Sequence, residues 1–207
     1  MSETQLLRTE NLTKTFGALV ANDGIDFSLE AGEVRGLIGP NGSGKTTFFN
    51  TVTGYYTPDS GSVTFEGTDI TGSDPASIAR AGLGRTFQIP RLFESMSVRE
   101  NLLSVYSPGP GVADSKRRRA DEVLSSLDID HLAGDTPDEM SGGQQKLLEL
   151  GRLMMLDPTC ILLDEPTAGV NPALEDRILE YLADMNDDGT TFVIIEHDMR
   201  VIKEVTD

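Results

Sequence analysis

The sequence predicts an α/β fold with a mainly parallel sheet, an N-terminal antiparallel β piece and an inserted helical subdomain. Two alternating stretches, 6–16 and 19–29, predict antiparallel strands at the N-terminus. Between about residues 91 and 156 the strand signals fade and helical patterns take over. Further on, short apolar strands alternate with helices, a pattern typical of a parallel sheet: strands 160–163 and 191–195, with a helix at 172–185 between them.

These patterns divide the chain into three parts. Residues 1–88 form the first part of the core with the antiparallel piece, 89–156 the helical subdomain, and 157–207 the second part of the core. The remaining predicted strands are 34–38, 62–66 and 83–87. The remaining predicted helices are 46–52, 75–81, 97–106, 114–127, 141–156 and one from 198 onward.

The composition limits the cellular locations and the binding partners that we expect for this chain. The formal charge is −17, from 34 acidic and 17 basic residues, and such acidity disfavours binding to nucleic acid or to anionic headgroups. The acidity fits a protein adapted to a salty cytoplasm or an ordinarily acidic one. No run of about 18 apolar residues occurs, the first residues lack a signal-peptide layout, and Cys160 has no second cysteine to pair with. We therefore expect a cytoplasmic location.

A glycine-rich turn over Gly39–Thr47 lies between an apolar run and a helix start. It matches the phosphate-binding P-loop pattern, in which glycines let backbone N–H groups and a helix N-terminus surround an anion. Lys45 would reach the β/γ-phosphates, and the Thr46 hydroxyl would contact Mg²⁺. The alternative is an unliganded turn, which the flanking strand and helix disfavour. The predicted phosphate-binding residues are Gly39, Asn41, Gly42, Ser43, Gly44, Lys45, Thr46 and Thr47.

Polar residues also follow three predicted strands. Asp164 and Glu165 follow an apolar run, where Asp164 would hold Mg²⁺ and Glu165 would act as general base toward water. His197 would contact a γ-phosphate, or it would simply pair with Glu196 or Asp198. Gln88 would orient water or touch Mg²⁺, or be an ordinary polar residue.

The run Ser141-Gly142-Gly143-Gln144 opens a predicted helix of the helical subdomain. Ser141 suits an N-cap, and the glycines would expose backbone N–H groups at a positively polarised helix end. One ATP does not need two distant phosphate sites, so we expect this run to contact ATP held by another subunit. A helix cap without any ligand is the alternative.

Together these residues resemble the ATP-binding subunits of ABC transporters over nearly the whole chain. In that family Ser141–Gln144 resembles the signature motif, with Met140 in place of the usual leucine, Gln88 the Q-loop residue and His197 the switch histidine. Phe16 resembles the aromatic that stacks on adenine, although spacing alone favours an ordinary, partly buried ring. Asn171 replaces a frequent Asp of the D-loop, which puts that cross-dimer contact in question.

Residues 84–88, 91–93, 100–103 and 166–172 are similar to the ATPases of branched-chain amino acid importers, a group that also covers uptake of urea and short amides. The resemblance implies ATP hydrolysis with Mg²⁺ by a head-to-tail dimer with a copy or a paralogue, at the cytoplasmic face of the membrane. It also implies permease partners bound through the helical subdomain and, indirectly, a solute-binding protein. The alternatives are a lipid-exporter type of ABC ATPase and a soluble non-transport ABC protein. Family members normally continue past the switch-histidine helix, so we expect a chain shortened after Asp207.

Overall fold

The structure is a computed structural model that describes residues 5–105, 112–197 and 200. Its strands are β1 (Gln5–Phe16), β2 (Leu19–Glu30), β3 (Val34–Leu37), β4 (Ser60–Phe65), β5 (Thr68–Asp69), β6 (Leu83–Arg85), β7 (Cys160–Asp164) and β8 (Thr191–Ile195). Its helices are α1 (Lys45–Val52), α2 (Pro75–Arg80), α3 (Val98–Leu103), α4 (Val112–Ser126), α5 (Gly142–Met154) and α6 (Pro172–Asp187). Short 3₁₀ turns cover Asp130–Leu132 and Pro137–Glu139.

Two sheets carry these strands. The antiparallel sheet has the order β2-β1-β4-β5, and the parallel sheet has the order β3-β8-β7-β6. Strand β7 lies inside the parallel sheet, because it pairs with β6 on one side and with β8 on the other. The carboxyl ends of parallel strands meet at one edge, so residues that follow β3, β6, β7 and β8 gather there.

Both faces of the parallel sheet are covered, which explains why its strands are continuous apolar runs. Side chains alternate along a strand, so Ile161 and Leu163 of β7 join one core while Cys160 and Leu162 join the other. The first core packs β7 and β8 against α3, α4, α5 and α6, with Val98, Leu102, Leu124 and Leu148 among its buried members. The second packs the opposite face against the antiparallel sheet and α1, with Leu7, Phe49, Val63 and Phe65 among its members.

The predicted fold class is confirmed, and the differences are local. The predicted strand 83–87 ends at Arg85, and the predicted helix 97–106 ends at Leu103. Strand β5 escaped prediction because two residues are too short to show alternation. The helix predicted from 198 lies largely outside the described residues, and the boundaries proposed for the three parts of the chain remain predictions. Among the described helices, none combines the length and the apolar character that a membrane crossing requires.

Candidate functional site

The glycine-rich loop joins β3 to α1 at the carboxyl edge of the parallel sheet. Gly39, Gly42 and Gly44 have φ angles of 156°, 81° and 91°, a region that side chains disfavour. Gly44 is the N-cap of α1, and no side chain caps the helix, so its first N–H groups are available to an anion. Lys45 Nζ lies over the loop and donates to the Gly39 and Pro40 carbonyls at 2.7 and 3.0 Å.

Gly44 is also required by a close approach of the antiparallel sheet. A Cβ at this position would lie 2.2 Å from the Ala21 carbonyl oxygen and 2.8 Å from Asn22 Nδ2. Asn22 is buried, and its amide donates to the Gly44 carbonyl at 3.2 Å. The start of β2 therefore packs directly against the loop and fixes its position. Its backbone leaves no room for a side chain at position 44.

The structure brings together the three residues predicted to act in catalysis. Gln88 Nε2 donates to Glu165 Oε2 at 3.2 Å, and His197 Nε2 lies 2.9 Å from Glu165 Oε1. Each carboxylate oxygen of Glu165 thus has one side-chain partner, which sets the orientation of the group. Glu165 has a φ of 52°, and its N–H donates to the Ile195 carbonyl, so the chain turns sharply after β7. A positive φ is uncommon outside glycine.

His197 does not pair with Glu196 through its side chain. Glu196 is buried, and its Oε1 accepts from the N–H and the hydroxyl of Thr167, at 3.1 and 2.8 Å. That contact ties the end of β8 to the turn after Glu165. Because Glu196 is occupied in this way, the imidazole of His197 is left to Glu165, which favours the functional interpretation of the histidine. Asp198 lies outside the described residues.

Asp164 ends β7 as a buried residue. Burial raises the pKa of its carboxyl, and the guanidinium of Arg85 acts in the opposite direction, with Nη2 at 3.7 Å from Oδ2. The Asp164 N–H donates to the Thr86 hydroxyl at 3.1 Å. Arg85 in turn donates to the Asn50 side chain at 2.7 Å and stacks on Phe87, with its Cζ 4.5 Å from the ring centroid.

A cleft of about 580 Å³ combines most of the predicted residues. Its walls are Phe16, residues 19–21, the loop from Asn41 to Thr47, Gln88, Glu165, Ile195 and His197. Phe16 is 44% exposed; its ring meets Tyr56 in a T-shaped pair with the centroids 5.2 Å apart, and Lys14 Nζ lies over it at 5.6 Å from the centroid. The cleft therefore combines an exposed aromatic side chain, the glycine-rich loop and the carboxylate of Glu165. Among the described residues, Gly39, Asp164 and the 141–144 run do not line it.

The predicted signature run begins α5 as the sequence suggests. The Ser141 hydroxyl accepts from the Gln144 N–H at 3.3 Å, and the Gln144 side chain accepts from the Ser141 N–H at 2.8 Å. Ser141 and Gly142 are exposed, whereas Gly143 is buried. A Cβ on Gly143 would lie 2.2 Å from Leu174 Cδ2, the end of a flexible side chain, so close packing against α6 is a second reason for a small residue here. The contact with a nucleotide remains a prediction for all four residues.

Three charged residues behind the cleft were missed at the sequence level. They are Arg85, Lys146 and Glu149, and each is at least partly buried. Arg85 lies within an apolar strand, and Lys146 and Glu149 interrupt the apolar pattern of a helix. That signal was available, since a charge among core positions needs partners. Their partners are far away along the chain and could not be identified without the fold.

Comparisons with known proteins agree with this geometry. The profile of the ABC transporter family matches residues 22–168. The probable branched-chain amino acid transport ATP-binding protein LivG of Archaeoglobus fulgidus is 41% identical, with 98% of this chain and 84% of that protein covered. The high-affinity branched-chain amino acid transport ATP-binding protein LivG of Escherichia coli is 35% identical, with 98% and 86% covered.

Solved structures give the same result. The ADP conformation of an ATP-binding cassette of an ABC transporter matches with a TM-score of 0.87 and 39% identity, over 98% of this chain and 85% of that one. A dimeric post-hydrolysis state of an ATP-binding cassette, bound to ADP and Pi, matches with a TM-score of 0.86 and 27% identity, over 96% and 90%. The resemblance inferred from the motifs is thus confirmed, and this chain belongs to the ABC transporter family.

Proposed function

We propose that this chain is the ATP-hydrolysing subunit of an ABC importer, which energises uptake of branched-chain amino acids or related small polar solutes. The observation that carries this proposal is the contact of Gln88 and His197 with Glu165 in one cleft with the glycine-rich loop. The names of the relatives support the importer class, because they are branched-chain amino acid transport ATP-binding proteins at 35% and 41% identity.

ATP fits the residues of the cleft. The N-terminus of α1 and the positive-φ glycines suit the phosphates, Lys45 supplies a cation, and the exposed ring of Phe16 suits the adenine. Mg²⁺ fits the oxygen donors of Thr46, Asp164 and Gln88, which are of the hard type that this ion prefers. When bound, Mg²⁺ would supply neutralisation of charge on the phosphate oxygens.

The mechanism assigns one task to each residue of the cluster. Glu165 accepts the proton of the attacking water, and Gln88 and His197 hold its carboxylate in place through one oxygen each. Lys45 stabilises the negative charge that develops on the β/γ-phosphates. Ser141 and Gly143 of a second subunit, a copy or a paralogue, complete the site in a head-to-tail dimer. The solved dimeric cassette bound to ADP and Pi supports a dimer as the working unit.

The coupling partner would be a permease at the cytoplasmic face of the membrane. A groove of about 540 Å³ is lined by residues of α2, β6, the segment after β6 and α5, and its walls include Tyr55, Phe87, Arg91, Phe93 and Arg152. Phe93 and Tyr55 are 47% and 42% exposed, which provides apolar area for a docked segment. A solute-binding protein would act on the permease and touch this subunit only indirectly.

Glu165→Gln tests the proposed chemistry. The amide keeps the shape and the hydrogen-bonding capacity of the side chain but cannot accept the proton, so ATP affinity should change by less than about 3-fold while turnover falls by 10²- to 10⁴-fold, roughly the contribution of a general base. The variant should also accumulate as an ATP-bound dimer in size-exclusion chromatography. Glu180→Gln, on the exposed side of α6, is the matched control. Normal turnover in Glu165→Gln would remove Glu165 as the base.

An uptake assay in cells identifies the transported solute. In cells that carry the permease genes, deletion of this subunit should abolish uptake of radiolabelled leucine, isoleucine and valine, and the wild-type gene should restore it. Unchanged uptake of these amino acids together with lost uptake of another small polar solute would keep the importer and change its substrate. Recovery of the subunit without any membrane protein after gentle detergent extraction would instead favour a soluble ABC protein.

A further inference from the structure

We propose that Lys146 and Glu149 of α5 are positioning residues for ATP hydrolysis, which hold the Gln88 segment and the turn after Glu165 from a single helix. The inference rests on the proposed function, because it assumes that Glu165 and Gln88 act on ATP. The two residues are three positions apart, so their side chains project from neighbouring positions on one side of α5. The same helix begins at Ser141, the residue proposed to face the nucleotide of the partner.

Glu149 holds the backbone on both sides of Gln88. Its Oε1 accepts from the N–H of Phe87 at 3.3 Å and from the N–H of Arg91 at 3.4 Å. Strand β6 ends at Arg85, so this segment has no strand pairing of its own beyond the Thr86 N–H, which donates to the Leu162 carbonyl at 2.9 Å. Glu149 is only 6% exposed, and the segment therefore rests on a buried acceptor of the helical subdomain.

Lys146 makes the equivalent connection to the carboxylate side of the site. Its Nζ donates to the main-chain carbonyls of Glu165 and Ala168, at 2.8 and 2.6 Å. These two carbonyls bound the turn that follows β7 and includes the strained Glu165 backbone. The Glu165 carbonyl also accepts from the Ala168 N–H at 3.2 Å, so the ammonium group adds a second donor there and a donor from another element at Ala168.

Burying the charges of Lys146 and Glu149 costs free energy unless the hydrogen bonds described above compensate for it. Glu149 lies among Lys146, Arg91 and Arg152, and Arg152 Nη1 itself donates to the Arg91 carbonyl. An apolar pair of similar volume would fill the same space without desolvating two charges. The contacts to residues 87, 91, 165 and 168 explain why charged groups occupy a helix face that is otherwise apolar. A shift of α5 would move Gln88 and Glu165 together, which links the partner-facing end of the helix to the site of its own subunit.

The test separates positioning from packing. Glu149→Leu and Lys146→Met keep the volume and remove the hydrogen bonds, whereas Glu149→Gln keeps an acceptor oxygen at the same place. For each purified variant we would measure ATP affinity by equilibrium dialysis, kcat and KM from phosphate release, and the melting temperature from circular dichroism, with kinetics well below each melting temperature. Glu180→Gln again serves as the control.

Glu149→Leu and Lys146→Met should each lower kcat by roughly 10- to 100-fold, since a displacement of about 1 Å at a reacting group costs about that much. ATP affinity should stay within about 3-fold, because the loop that binds the phosphates is untouched, and Glu149→Gln should recover kcat to within about 3-fold of wild type. If Glu149→Leu fails to fold, Lys146→Met and Glu149→Gln still decide the matter.

Unchanged kcat in the folded variants would overturn the proposal, as would equal loss of kcat in Glu149→Gln and Glu149→Leu. A fall in ATP affinity with unchanged kcat would also contradict it, because that result would place the effect on the loop. The Glu165→Gln measurement is independent of these variants. Lost turnover there with normal kinetics in the α5 variants would retain the proposed function and remove only the positioning role.

Discussion

The protonation of Glu149 offers a quantitative test of its burial. Burial is the main cause that raises the pKa of Glu149, from 4.5 to about 7, and it outweighs the hydrogen bonds from Arg91 and Phe87 and the charges of Arg152 and Lys146. The folded state therefore binds this proton more tightly than the unfolded state. The resulting stability is fully present below pH 4.5 and is lost as the pH rises through 7. Glutamine at the same position does not titrate.

The magnitude follows from the two pKa values. Between about pH 5.5 and about pH 8, ionisation of Glu149 should cost the wild-type protein about 2 kcal/mol of unfolding free energy. Urea titrations followed by circular dichroism would give this free energy for wild type and Glu149→Gln at both pH values. All other titrating groups contribute to both proteins, so they cancel in the difference between them. Glu149→Gln should gain about 2 kcal/mol relative to wild type on going to the higher pH.

Glu180→Gln is the control, since it replaces an acid with glutamine at an exposed position of α6. The reasoning would be refuted if Glu149→Gln and wild type showed the same pH dependence within about 0.5 kcal/mol, because Glu149 would then be well solvated or fully compensated by its cationic neighbours.

Two further substitutions test the packing behind the cleft. Arg85→Met leaves the buried carboxylate of Asp164 without its cation and should lower the unfolding free energy, measured in urea, by about 3 to 5 kcal/mol. The double variant with Asp164→Asn should lose clearly less free energy than the sum of the two single losses. Additive losses would show that the two groups do not interact. Gly44→Ala forces a Cβ against the Ala21 carbonyl and should weaken ATP binding by at least about 10-fold. Gly67 also has a positive φ, of 73°, but a Cβ there would meet open space, so Gly67→Ala is the control and should leave ATP binding unchanged. Equal affinities in the two alanine variants would show that the close approach does not set the loop conformation.

The fold and the centre of the site were predictable because both depend on local patterns. The strand runs, the glycine-rich loop and the residues that follow each strand are all visible within a few positions. Gln88 and Glu165 are 77 positions apart, yet their contact follows from one rule, since the strands preceding them are parallel and end at the same edge. The same rule brings His197 to Glu165 from the end of β8.

Gly143 shows how one residue can satisfy two explanations. The sequence suggests a glycine that exposes backbone to an anion, and the structure shows a glycine packed closely against the Leu174 side chain, which a Cβ would displace. The packing of α5 on α6 is a tertiary contact, so the local sequence around residue 143 cannot predict it. The two explanations are compatible, because a helix that packs closely at Gly143 also fixes where Ser141 and Gly142 stand at its exposed end.

Glu149 marks the limit of sequence reasoning in this chain. It follows no strand and belongs to no motif that the sequence shows, and the N–H groups that it accepts from are 62 and 58 positions away. Its only signal is that it is an acid at a core position of a helix, which states that a partner exists but not which one. The partner depends on how α5 lies against the segment after β6, and that placement is set by the apolar residues around Glu149, including Leu148 and Leu150. The apolar pattern of α5 therefore determines which backbone N–H groups the carboxylate of Glu149 meets. Because those groups flank Gln88, the same pattern also influences how Gln88 contacts Glu165.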